Sequence, residues 1–174
     1  RVRFVVQGPY LSHGYVNTGG GLLDADLVRP EGQLGRDVLE DYFLAFGIGW
    51  LFHADSVEIV SDGSDGEPAV VRATGRPLLW DFIQGVIEAT EPLLPDPGVA
   101  IVRDYTLAAD SNVLDIHTTF TNDGSELAHF NPSDGWIAAR EDLQTWATGK
   151  GLDPDTLETD AAGEAGRRGE TAFG

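Results

Sequence analysis

The chain has no cysteine and no methionine, and a single lysine, Lys150, stands beside ten arginines in its 174 residues. Without cysteine there are no disulfides, no thiolate metal ligands and no cysteine nucleophile, and the redox compartment stays open. Without methionine even at position 1, the chain is expected to be a processed or excised piece of a longer protein. No apolar run approaches the roughly 18 to 20 residues that a membrane helix needs, so membrane insertion is not expected. Basic charge is scarce: 29 acidic residues against 11 basic ones leave a net charge of −18. Nucleic acid and anionic membranes are therefore poor partners, because phosphate recognition needs a positive footprint. Such an acidic, lysine-poor surface suits high salt, a Ca²⁺-rich exterior or simple solubility. Gly-x-Ser-x-Gly, P-loop and dinucleotide fingerprints are also missing, and Gly19-Gly20-Gly21 lacks the strand-and-helix context of a phosphate loop. No repeat of fixed period occurs.

What is present is enough for one domain with a real core, since 41% of the residues are hydrophobic. The clearest pattern runs from Val99 to Asn122. Two stretches rich in β-branched and aromatic residues flank Asp110, Ser111 and Asn112, which are turn formers. The register that keeps the faces distinct sets Leu107 against Leu114, Tyr105 against Ile116, Arg103 against Thr118 and Ile101 against Phe120. That face is apolar and covers a core. The other face pairs Asp104 with His117 and Thr106 with Asp115. A slip of one residue would mix the faces, which burial of one face penalises. Arg103 is the misfit, and is expected at the sheet margin with its stem buried and its head in water.

Further strands are expected over Arg1–Gln7 and Leu22–Arg29. Val38–Ala54 reads as one long, irregular core strand, with Gly47 and Gly49 marking a bulge or a close backbone approach. Ser56–Ser61 and Pro68–Gly75 form a hairpin around a Gly/Asp loop. Leu127–Phe130 reads as a short strand. Helical spacing predicts a helix over Pro77–Glu91 and a second over Trp136–Trp146. Residues 1–147 make the domain. Thr148–Gly174, poor in apolar anchors, reads as an acidic Gly/Ala-rich tail, linker or partner-docked extension.

Candidate chemistry is sparse. His13, His53, His117 and His129 form no metal-binding motif, and His53 with Asp55 is short of a third zinc ligand. Asp62, Asp65 and Glu67 offer oxygens to Ca²⁺, but not at EF-hand spacing, and a Gly/Asp hairpin loop needs no metal. No cofactor is expected, with Ca²⁺ the open alternative. Trp50, Trp80, Trp136 and Trp146 serve either as core residues or as a stacking platform for sugars.

The segment from Arg103 to Asn122, followed by His129-Phe130-Asn131-Pro132-Ser133-Asp134-Gly135-Trp136, resembles the galactose-mutarotase-like super-sandwich. In that family a Tyr-x-Leu strand turns into one ending in Thr-Asn, matched here by Thr121-Asn122. A segment with Asn and aromatic residues then leads to the site, matched by Phe130-Asn131. The Val57–Thr74 hairpin suits the same large antiparallel sheet. The catalytic His that mutarotases carry soon after that Asn is replaced here by Pro132–Gly135. The resemblance implies a mainly β fold, an antiparallel super-sandwich-like β-sandwich with one or two short helices, in a carbohydrate-related setting. The expected function is a non-catalytic carbohydrate-binding or structural module of a larger secreted or cell-surface protein. A degenerate mutarotase-like enzyme, the accessory domain of a hydrolase, and an assembly domain docking on a protein partner through its tail are the alternatives. The candidate ligand-binding residues are His117, Asp104, Asn131 and Trp136.

Overall fold

A computed structural model describes residues 1–9, 16, 18–35, 39–47, 49–80, 96–138, 146–147 and 151–152. It is mainly antiparallel β-sheet. The strands are β1 (Val2–Val6), β2 (Leu22–Leu27), β3 (Leu39–Phe46), β4 (Trp50–Ser61), β5 (Ala69–Leu79), β6 (Val99–Leu107), β7 (Leu114–Asn122) and β8 (Pro132–Ala138). They hydrogen-bond as one eight-stranded sheet in sequence order from β1 to β7, with β8 on β3. Two short strands, β9 (Trp146–Ala147) and β10 (Gly151–Leu152), pair separately. The rest of the expected tail lies outside the described residues, as does the tail's boundary with the domain.

The central hairpin has the register that alternation selects. Leu107 pairs with Leu114, Tyr105 with Ile116, Arg103 with Thr118 and Asp104 with His117, with no shift along the ladder. Val99, Ile101 and Tyr105 face inward and are buried with Ala73, Ala54, Phe52, Leu44, Phe46 and Leu22. Phe120 joins this core through edge-on ring contacts, 5.9 Å from Phe46, and a tilted contact, 5.1 Å from Phe130.

The sheet is not flat. Between β6 and β8 lie four ladder steps, which in a flat sheet would separate them by about 19 Å. Yet Arg103 on β6 bonds Asp134 on β8 at 2.6 Å. The sheet therefore curls over its own inner face until β6 and β7 meet β3 and β8. Two register shifts in β4, between Ala54 and Ser56 and between Ile59 and Ser61, bend that long strand. At Gly75, opposite the first of these, a Cβ would lie 1.8 Å from the His53 carbonyl oxygen, so no side chain fits. The eight strands are thus parts of one continuous, curled sheet among the described residues, a mainly antiparallel β fold.

Three expectations are corrected. Val38–Ala54 is not one strand but two, β3 and β4, and Gly47 (φ 57°) and Gly49 (φ 100°) turn the chain between them. The apolar run hides the turn because this region is covered on both faces. Ala45 and Leu51 join Val16, Phe43 and Trp80 in a second, smaller cluster. Leu127–Phe130 is not a strand, although Ala128 and Phe130 still pack on the core. Neither expected helix begins as one. Pro77, Leu78 and Leu79 end β5, paired with Phe52, Leu51 and Trp50, and Trp136 to Ala138 end β8. Both segments join a neighbouring strand that offers a ready ladder, and tertiary pairing overrides helical spacing. Pro77 is tolerated because β6 pairs β5 only as far as Gly75, so the missing N–H faces no described strand. Residues 81–95 and 139–145 lie outside the described residues. No described helix is long and apolar enough to cross a membrane.

Candidate functional site

Arg103 occupies an inward position of β6 and is fully buried. The expected marginal location, with its head in water, is therefore wrong. Its Nη2 donates to Asp134 Oδ1 at 2.6 Å and to the Tyr42 hydroxyl at 3.1 Å. The guanidinium carbon lies 5.1 Å from the centre of the Tyr42 ring and 5.6 Å from that of Tyr105. These are cation–π distances, and such contacts hold a desolvated cation well. Among the described residues, Nε and Nη1 have no hydrogen-bond partner. Burial by itself would lower the Arg103 pKa, but Tyr105, Asp134 and Tyr42 together reverse that, so the group stays charged. Burial also pushes the Tyr105 phenol up to about 12 against the pull of Arg103, and raises Tyr42 as well. Both phenols are therefore protonated at neutral pH and do not act as bases. Tyr105 donates its hydroxyl proton to the Gly20 carbonyl at 2.6 Å. The cluster ties β6 to β3, to β8 and to the loop before β2.

The outer face carries a second arrangement. Glu58 on β4, Arg72 on β5, Asp104 on β6 and His117 on β7 are successive ladder partners and form one row across four strands. Arg72 clamps Asp104 through both carboxylate oxygens, at 2.7 and 2.8 Å. This hydrogen-bonded clamp, aided by the charges of Arg72 and His117, holds the Asp104 carboxyl below the usual carboxylate range. His117 ends the row, exposed. Nearby, Arg76 and Asp123 form another pair, 2.6 Å apart.

The structure thus brings Asp104 and His117 together, as the register requires, but Asp104 is engaged mainly by Arg72. Asn131 is exposed at the turn before β8, and its carbonyl accepts from the Gly47 N–H at 3.1 Å. Trp136 is half-buried on β8 opposite Tyr42 and shares the inward face of Asp134, two residues before it. It does not reach the Asp104–His117 face. Asp62 and Asp65 accept from the Ser64 and Glu67 N–H groups within their own loop, at 2.9 and 3.1 Å. Among the described residues no three His, Asp or Glu side chains converge as metal ligands.

A small cavity lies beside the core, lined by Gln7, Thr18, Asp41, Tyr42 and Phe52, with about 10 Å³ for the centre of a water molecule. Gln7 Nε2, buried there, has no hydrogen-bond partner among the described residues. That space is about the size of one water. The sequence reading missed Tyr42, Asp134 and the buried role of Arg103. The usable signal was Arg103 itself, because a charge at an inward position of an apolar strand requires a partner. No protein-family model, no curated protein and no solved structure matches the chain.

Proposed function

We propose that the chain is a non-catalytic binding module of a larger secreted or cell-surface protein, with a carbohydrate as ligand class. The observation that carries this reading is the in-register row on the outer face. Its donors and acceptors are held in place by the sheet and by the Arg72–Asp104 clamp. A polar ligand meeting such a row loses little to reorganisation, which is what small, oriented polar groups contribute at binding sites. Thr106 and Thr119 lie beside the row on the same face. No stacking ring joins it from Trp136, so the expected affinity is weak and rests on hydrogen bonds. A second point supports the non-catalytic reading. In the stretch where the resemblance expects a catalytic His, Asp134 is tied to the buried Arg103. A glycan array with the intact chain tests the proposal. Binding that is lost in His117→Ala, with the melting temperature unchanged, is the expected result. An array without any bound glycan removes the carbohydrate reading and favours the second one, an assembly domain. A specific feature favours that alternative, the outer edge of β7, with which no described strand pairs.

A further inference from the structure

Strand β7 is the last strand of the sheet, and no described strand pairs with its outer edge. Natural sheets blunt such edges with bulges, proline, lysine, inward charges or shortness. The other terminal strand, β1, follows that rule: it is five residues long, carries Arg3 and has a register shift between Val5 and Val6. Strand β8 begins with Pro132 and points Asp134 inward. Strand β7 has no bulge, proline, lysine or inward charge, and its one carboxylate, Asp115, lies on the outward face. Its nine residues, Leu-Asp-Ile-His-Thr-Thr-Phe-Thr-Asn, pair with β6 without a shift, and its inward row of Leu114, Ile116, Thr118 and Phe120 is uncharged and only half-buried.

We infer that β7 is a homodimerisation edge, on which the β7 of a second copy pairs antiparallel about a two-fold axis through Thr118. Because strand faces alternate, only registers that keep inward residues opposite inward residues are allowed. Among these, the one centred on Thr118 engages the whole strand. It sets Ile116 opposite Phe120 of the other copy, Leu114 opposite Asn122, His117 opposite Thr119 and Asp115 opposite Thr121. No carboxylate meets another, although each copy carries a net charge of −18. The half-buried inward row is completed by its own symmetry mate, and the two inner layers become continuous. The remaining obstacle is long-range repulsion between two acidic bodies. Salt removes it, since the Debye length falls from about 10 Å at 0.1 M to about 3 Å at 1 M.

Sedimentation of the full chain from low salt to about 1 M NaCl, where screening is nearly complete, is the first measurement. Dimers at tens of micromolar in high salt are expected. Thr121→Glu puts two carboxylates opposite the two copies of Asp115 and should weaken the dimer by up to about tenfold. Thr121→Lys should tighten it, while Ser64→Glu in the distant β4–β5 loop should leave it unchanged. Since the chain has no cysteine, a single introduced one reports register directly. Thr118→Cys sits on the axis, where antiparallel partners have Cα atoms about 4.5 to 5.5 Å apart, within disulfide range. Mild oxidation should cross-link it, and should not cross-link Thr121→Cys, whose two copies lie about 20 Å apart along the strands. A monomer at every salt concentration overturns the inference and leaves the edge to a strand from another protein. So does a dimer in which both cysteine variants cross-link equally. Neither outcome depends on whether a glycan binds the outer face.

Discussion

At the scale of single residues, the inner face is organised by a charge that strand alternation drives inside. A buried guanidinium is costly, and one 2.6 Å bond to a carboxylate whose side chain is 46% exposed offsets only part of that cost. Two tyrosine rings supply the rest of its surroundings. This arrangement leaves a signature in alkali. The Tyr105 hydroxyl ionises near 10 in an unfolded chain, whereas burial raises it to about 12 in the fold. Its folded pKa is the higher one, so its contribution to stability is complete below pH 10 and is lost as pH rises from there to about 12. A two-unit shift corresponds to a loss on the order of 3 kcal/mol, and Tyr42 adds to it with the same sign. Urea unfolding between about pH 8 and 11.5 should show this decline. Tyr105→Phe should be less stable at neutral pH, because the Gly20 carbonyl loses its donor, yet should decline less steeply in alkali. An alkaline slope identical to that of the unaltered chain would refute the assignment. The sequence exposed half of this cluster. Arg103 was visibly anomalous, but Tyr42 and Asp134 come from strands distant in the chain, and only the curl of the sheet brings them to it.

At the scale of elements, the hairpin of β6 and β7 was legible because local pattern and burial agree. Alternation fixed its register, and the structure has the same pairs. Phe120 lies on its inner face against Phe46 and Phe130, while His117 lies on the outer face in water. Phe120→Ala should therefore cost about 3 kcal/mol, the low end for a Phe truncation because the ring is only half-buried. His117→Ala should cost under about 1 kcal/mol, as expected for an exposed contact. Denaturant titration of the two variants checks this, and equal losses would mean that the outer face is also covered. Where local pattern and tertiary pairing disagree, the sequence misled. Pro77 to Leu79 and Trp136 to Ala138 have helical spacing but sit beside strands that offer them a ladder. The turn at Gly47 and Gly49 was hidden because the end of β3 and the start of β4 are covered on both faces, so the apolar run never alternates.

At the scale of the whole molecule, the balance of charge decides how stability responds to salt. Screening acts in two directions. It weakens exposed ion pairs such as Arg3–Asp24 and Arg76–Asp123, each worth about 0 to 1 kcal/mol. It also relieves the mutual repulsion of acidic groups, which outnumber basic ones by 29 to 11. The second effect involves many more groups and should win, while the Arg103–Asp134 pair, whose cation is fully buried, is little screened. The melting temperature should accordingly rise from low salt to about 1 M NaCl, and KCl should act as NaCl does, because screening depends on ionic strength. A rise confined to Ca²⁺ at low concentration would point instead to a bound cation. Dimerisation through β7 would raise the melting temperature in high salt as well, by mass action, but only it makes that temperature depend on protein concentration. Melts at two protein concentrations, each in low and high salt, therefore separate the contributions. Screening appears as a rise common to both concentrations, and association as an added rise in the more concentrated sample at high salt. A melting temperature that ignores salt altogether would show that the acidic groups are too far apart, or too well paired, to strain the fold.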